Sequence, residues 1–335
     1  MKRRHGLTAI FLICLAYIGS SASPRNARAQ SPQPLLRVAV VAFTRAESAT
    51  DFPLIESAVA DALARDARIF LIDQSIVRPA LTGIRYDGSI NMSKAEARRI
   101  AAAIGCDFLI VGKADVFTRS EREGESHQQA YAAVMMVDGR TGALADFAFF
   151  SEKADTVETA LSAIVKAIKQ RTVDLTDRVI RFRAMAEFRP AHRATAGDEL
   201  IEDVPDEDSS RAEGFKPPEF LNRVKPEYTS EAELADITAT VEVMVVFHSN
   251  GEIGALEITR WAGFGLDESA ARAIHQLKFK PATRGDEPIN VRALIRYNFR
   301  RVSDPSTRPE SQAPKLPEKR ERDLRQLFKP TYRRP

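Results

Sequence analysis

The chain has 335 residues, 44% hydrophobic and 28% charged, with only 16 glycines and 18 prolines, which excludes fibrous and low-complexity classes. Two cysteines exclude a disulfide scaffold or a cysteine-rich zinc module. Without the five basic residues of its first 29 positions the chain has 44 basic against 46 acidic residues, so the net charge turns from +3 to −2 and the basic character carries no argument for nucleic acid.

Residues 1–29 read as a secretory signal. The basic cluster Lys2 to His5 precedes an apolar stretch from Leu7 to Ile18, and Ala27-Arg28-Ala29 is a small-x-small cleavage pattern. As a helix the apolar stretch reaches about 18 Å, short of the roughly 30 Å of a hydrocarbon core. Cys14 lies inside that stretch without the small residues of a lipidation signal. Cleavage would leave one cysteine, Cys106, and an exported mature protein, outside the cell where there is one membrane and in the periplasm where there are two.

From Leu36 to Arg183 strand and helix signals alternate. Leu36 to Phe43 is a short apolar run of the buried-strand kind. Phe52 to Arg65 has helical spacing, and Ile69 to Ile72 is a second buried run. Ser93-Lys94-Ala95-Glu96 is a capping box opening a helix to Ile104, with Gly105 as its stop. Phe108 to Val116 is a third strand, followed by a polar loop from Thr118 to His127. Ala130 to Val137 and Ala143 to Phe150 flank a Gly-rich turn and predict a hairpin. Thr156 to Ile180 predicts a long amphipathic helix. The expected fold of residues 36–183 is a mixed α/β sandwich whose first strands are parallel.

Residues 184–214 interrupt the pattern. Eight acids and one arginine lie between Gly197 and Glu213, so a solvated acidic linker is expected there. In the next block Ile237 to Phe247 alternates with period two, and Asn250-Gly251 supplies a two-residue turn into a partner strand, Glu252 to Arg260. Leu266 to Leu277 is helical, and Ile289 to Phe299 alternates again. The order β-β-α-β predicts one antiparallel sheet with a helix on one side. Residues 303–335 form a basic, proline-rich tail.

The motifs Phe215-Lys216-Pro217-Pro218, Val224-Lys225-Pro226-Glu227-Tyr228, Gly263-Phe264-Gly265-Leu266-Asp267-Glu268 and Phe279-Lys280-Pro281-Ala282 follow one another around that hairpin. Together with Gly285-Asp286-Glu287-Pro288 and the final strand, this ordered set resembles the TonB C-terminal domain family over residues 215–302, about a quarter of the chain. Two departures stand out: Thr229 follows the tyrosine where the family often has proline, and Thr238 or its neighbours stand where it often has glycine before the first strand. More loosely, residues 36–183 resemble periplasmic α/β domains of the curli-secretion lipoprotein and TolB N-terminal kind, through Val38 to Phe43, Ile104 to Gly112 and Val137 to Gly142.

The TonB resemblance implies docking by strand addition, in which an extended peptide satisfies the unpaired main-chain groups of a sheet edge. By analogy the last strand is the edge, with Ile289, Asn290, Val291, Arg292, Ala293, Arg296 and Tyr297 as partner-binding residues, and Asn290, Arg292, Arg296 and Asn298 pointing outward. The implied partners are envelope proteins, outer-membrane receptors among them. A homodimer by strand exchange stays open.

No catalytic constellation emerges. Lys113 after Gly112 lacks the spacing of a phosphate-binding loop, and Ala114 stands at its Ser/Thr position. His127, His192, His248 and His275 show no paired ligand spacing, so no metal and no cofactor is expected. Cys106 reads as a buried inert thiol, and Trp261, the single tryptophan, as core. Thr44 to Asp51, at the carboxyl ends of the first strands, is the place for a small ligand. The resulting expectation is a non-enzymatic interaction module of the cell envelope. The alternatives are an energy transducer for transport across the outer membrane, held by an uncleaved inner-membrane anchor, and a periplasmic ligand-binding sensor.

Overall fold

The computed structural model describes residues 35–44, 53–120, 126–188, 200–205 and 213–301. The signal segment 1–29, the segment 45–51 of the ligand site expected from Thr44 to Asp51, and the tail 303–335 lie outside the described residues.

The first block opens with strand β1 (Leu36–Thr44), helix α1 (Pro53–Leu63) and strand β2 (Ile69–Leu71). Helices α2 (Gln74–Gly83) and α3 (Lys94–Ile104) follow, then strands β3 (Phe108–Ser120), β4 (Ser126–Asp138) and β5 (Leu144–Ala154) and the long helix α4 (Val157–Phe188). The sheet order is β2-β1-β3-β4-β5. β1 pairs parallel with β2 and β3, while β3-β4-β5 is an antiparallel meander, so the sheet is mixed as expected. α3 starts on the expected capping box: Ser93 Oγ accepts from Glu96 N, and the Glu96 carboxylate accepts from Ser93 N. It ends at Gly105, which sits in the left-handed region at φ 77°.

Burial explains the strand sequences. β4 is covered on both faces, so it reads as one apolar run rather than an alternation. Ala130, Ala132, Val134 and Met136 face α1 and α4, where Ala160, Ile164 and Ile168 recur at helical spacing. Tyr131, Ala133, Met135 and Val137 face the opposite side. A register shift in β1 between Val40 and Phe43 turns Phe43 onto the helix-covered face with Val38 and Val40.

The second block carries short strands β6 (Ile201–Asp203), β7 (Phe215–Lys216) and β8 (Glu219–Phe220), then helix α5 (Ser230–Leu234). The hairpin β9 (Ala239–Phe247) and β10 (Ile253–Arg260), helix α6 (Leu266–His275), short strands β11 (Phe279–Lys280) and β12 (Ala282–Arg284), and the long strand β13 (Glu287–Phe299) complete it. The main sheet runs β10-β9-β13-β12-β7, with β6 added beside β13. The β-β-α-β core is as expected.

Three details differ from expectation. α4 continues to Phe188, beyond the expected end of the first block. Within the stretch expected as solvated acidic linker, Ile201, Glu202 and Asp203 form a strand parallel to Asn290, Val291 and Arg292. The β9–β10 connection closes on His248 and Glu252, leaving the three-residue loop Ser249 to Gly251, with Gly251 at φ 87°. The extra residue has a long-range partner: Ser249 N donates to Asn290 Oδ1 at 2.7 Å, which ties the loop to β13.

One apolar cluster runs through both blocks. It joins Leu109, Val111, Tyr131, Met135 and Val137 of the first to Ala235, Ile237, Val241, Trp261, Phe264 and Ile274 of the second. The face of the first sheet that α1 and α4 leave open is covered by α2 and α3 together with the second block. The seam is also polar and specific. Trp261 Nε1 donates to Gly142 O at 3.0 Å, and Trp261 N to Met92 O at 3.1 Å. Asn91 matches both its amide atoms to the second block: Nδ2 donates to Thr240 O (2.9 Å) and Trp261 O (2.7 Å), and Oδ1 accepts from Thr240 N (2.9 Å). Lys113 Nζ donates to Ala235 O, the C-cap of α5, at 3.1 Å. Burial lowers the Lys113 pKa, while Asp236 and Asp115 act to raise it.

Candidate docking edge

β13 is held on one side along nearly its whole length. Val291 through Phe299 pair antiparallel with Phe247 back to Ala239 without a shift in register. Its entry is a tight hairpin from β12 in which Arg284 pairs with Glu287, and Gly285 takes φ 63° at the first central turn position. The alternation of its sequence follows from one buried face: Val291 and Phe299 are buried, and Ala293, Ile295 and Tyr297 pack against the common core.

The opposite side of β13 falls into two parts. Ile289, Asn290, Val291 and Arg292 were expected on an open rim; they are enclosed. Ile289 pairs with Ala282 of β12, and Asn290, Val291 and Arg292 pair with Ile201, Glu202 and Asp203 of β6. Asn290 is also not an outward residue, since its side chain is buried and accepts from Ser249 N. From Ala293 onward no strand lies on this side among the described residues. Arg292 O accepts from Val204 N at 3.2 Å, so Arg292 turns its main-chain groups to this side. Strand alternation then turns those of Leu294, Arg296 and Asn298 the same way, with no strand to receive them among the described residues. The open rim is therefore Ala293 to Phe299, and it includes Ala293, Arg296 and Tyr297 of the expected site.

The arginines of this strand are engaged. Arg292 holds Asp203 through two hydrogen bonds of 2.7 and 3.0 Å, and Arg296 reaches Glu242 of β9 at 2.7 Å. Leu294, between them on the solvent side, is 46% exposed and paired across from Met244. A hydrophobic side chain flanked by two charged ones on an open strand can contact a partner's side chain while discouraging unspecific pairing.

The loop Gly263-Phe264-Gly265 fixes the second block against the first. All three residues have positive φ, at 72°, 55° and 70°. The positive φ of Gly263 is what favours glycine there, since a Cβ would meet only the flexible end of Met135 at 2.8 Å and the edge of the Phe147 ring at 3.1 Å. Phe264 in this loop tilts onto Phe147 and stands edge-on to Phe149 of β5, at centroid distances of 5.2 and 5.9 Å. Asp267 holds the loop from inside by accepting from Ala262 N and Gly263 N at 2.9 and 2.8 Å. Burial raises its pKa to about 6 against the lowering effect of those two bonds.

Both departures from the TonB pattern are explained. Thr229 caps α5, accepting from Ala232 N, and donates to Phe264 O at 2.5 Å, so it ties the helix start to the seam loop where proline could donate nothing. Asp236 adopts φ 47°, the conformation glycine would supply before the first strand. Tyr228 closes the same corner, its hydroxyl lying 2.7 Å from Ile237 O.

The other residues singled out in the sequence are not brought together. His127 begins β4, His248 lies at the hairpin loop and His275 ends α6, while His192 is outside the described residues. Among the described residues no group of three or more His, Cys, Asp or Glu could hold a metal ion. Cys106 is half-buried, and burial, with the Asp107 charge adding, pushes its thiol up to about 12, which keeps it protonated at neutral pH. Trp261 is core, as expected, but the core of the seam. Asn91 was missed. It stands in an aperiodic loop, and only its complementary amide marks it as a residue able to pair with a strand main chain.

These features define an α/β sandwich carrying a small β-β-α-β domain with an incompletely paired last strand. Residues 224–300 match the family described as Gram-negative bacterial TonB protein C-terminal, and the β-β-α-β block is similar to that domain. No curated protein sequence matches the chain. Among solved structures, the TonB C-terminal domain of Pseudomonas aeruginosa is 18% identical, with 31% of this chain and 96% of that one covered at a TM-score of 0.24. The LpoB C-terminal domain from Salmonella enterica is 11% identical over 37% of this chain and 87% of that one, with a TM-score of 0.27. The lipoprotein GNA1162 from Neisseria meningitidis is 16% identical over 42% and 99%, with a TM-score of 0.30. Among the described residues no helix is long and apolar enough to cross a membrane.

Proposed function

We propose that the chain is a periplasmic interaction protein of the Gram-negative cell envelope that binds an extended partner segment by strand addition along Ala293 to Phe299. The observation that carries this reading is the one-sided pairing of β13 beyond Arg292. The family match of residues 224–300 supports the envelope setting. The role requires no catalytic centre and no cofactor: main-chain hydrogen bonds supply affinity, and alternate side chains, Leu294 foremost, supply selectivity.

The test places a photoreactive side chain at Asn298, on the open rim, and isolates crosslinked envelope protein. A discrete product is expected. Leu294→Pro removes a single rim-facing N–H, which an edge strand tolerates, and should abolish that product while leaving the circular dichroism spectrum intact. A crosslink that survives Leu294→Pro overturns strand addition. Mass spectrometry of the N-terminus decides the setting, since a mature chain beginning at Gln30 is released to the periplasm and one keeping residues 1–29 is anchored as a transducer would be.

A further inference from the structure

β6 is itself a strand added to the edge of β13, donated by the acidic stretch of the same chain. It occupies Asn290 to Arg292, directly before the open rim. Two ion pairs align it: Asp203 with Arg292 of β13, and Glu202 with Arg284 of β12 at 2.6 Å. Leu200, Ile201 and Val204 remain 79%, 46% and 37% exposed, so the segment leaves its apolar side chains largely in solvent while spending its charges on the edge. The Asp203–Arg292 pair is half-exposed on both sides, which makes it weak and salt-sensitive.

Resting on the strand-addition reading above, we propose that residues 201–203 are a built-in competitor, and that the partner segment is acidic. A partner strand running along the whole edge must displace β6 from Asn290 to Arg292. The groups that then lose their counter-ions are the guanidinium groups of Arg284 and Arg292. An incoming segment with two adjacent carboxylates, one for each face of the strand, replaces what Glu202 and Asp203 supply, whereas a neutral or basic segment leaves two arginines without their carboxylates. The exposed Ile201 and Val204 show that apolar residues on either side of the acids are compatible with this position.

The test uses the full chain and a fluorescent peptide of sequence 199–206 as probe. Anisotropy should show the peptide binding at least tenfold more tightly to the Glu202→Ala/Asp203→Ala variant than to the wild type, because the internal strand no longer competes. Adding Arg284→Ala and Arg292→Ala to that variant should remove the gain, and the peptide carrying Gln and Asn in place of its Glu202 and Asp203 should bind neither chain. Amide exchange provides the independent arm: the Arg292 amide should exchange at least tenfold faster in the variant, while Leu294, Arg296 and Asn298 exchange fast in both. Equal peptide affinity for the two chains, no binding to either, or an unchanged Arg292 amide overturns the competitor. Slow exchange at Leu294, Arg296 and Asn298 in the peptide-free chain would instead refute the open rim, so the two failures are distinct.

Discussion

Asp267 and Trp261 lie a few residues apart, and each couples a short polar interaction to deep burial. Trp261 puts its ring into the seam and its indole N–H on Gly142 O. Trp261→Ala should cost about 3–5 kcal/mol in urea denaturation, whereas Trp261→Phe, which keeps most of the packing, should cost roughly 1–2 kcal/mol. Asp267 has a folded pKa near 6, above its ordinary value of 3.8. Between those values the native state keeps a proton that the unfolded chain has released. The contribution of this group is therefore most favourable below pH 4, declines as the pH rises through about 6 and is flat above, a change of about 3 kcal/mol at most. Urea midpoints of the wild type and Asp267→Asn between pH 4 and 7 check this: the wild type should lose stability relative to the variant over that window. Neither role follows from sequence spacing. A tryptophan before Ala-Gly and an aspartate at the start of a helix are ordinary; it is the first block, arriving from far along the chain, that gives Trp261 its partner Gly142, and the loop at Ala262 and Gly263 that closes on Asp267.

At the scale of the element, local chemistry predicts local structure and fails where a distant strand intervenes. The α3 capping box formed as read because both partners lie within one turn. The same locality supports a prediction at α5. Thr229→Ala removes a cap and the bond to Phe264 O, and should cost about 1–2 kcal/mol in thermal or urea unfolding, with Thr229→Ser restoring most of it. The β9–β10 turn shows the opposite case. Asn250-Gly251 is a good two-residue turn, yet Asn290, forty residues later, draws Ser249 into a longer loop. β13 is the fullest example. Period-two patterning revealed that it is a strand with one buried face, but which of its two sides pairs, and with what, depends on strands from residues 201, 239 and 282. Acidic composition accounts for much of the expectation of a solvated linker at 201–203. It could not reveal that two of those acids find arginines on an edge.

For the molecule as a whole, the shared core makes cooperativity the measurable consequence. Calorimetry of the full chain should give one unfolding transition for residues 35–301, with calorimetric and van't Hoff enthalpies in agreement. A fragment ending at residue 188 exposes Tyr131, Ala133, Met135, Phe147 and Phe149 on one sheet face, so it should bind a hydrophobic dye and melt lower than the full chain. Two independent transitions, with a dye-silent fragment, would show that the seam contributes little.

Composition and periodicity alone were enough to determine a mixed sheet with parallel first strands, a β-β-α-β block after it and the long last strand that carries the open rim, because burial writes its period into neighbouring residues. Only the tertiary structure decided that the two blocks share a core through Trp261, Phe264 and Asn91, and that the open rim starts at Ala293 rather than at Ile289. Those outcomes depend on contacts between residues tens to more than a hundred positions apart, for which a single chain read in order carries no periodic signal.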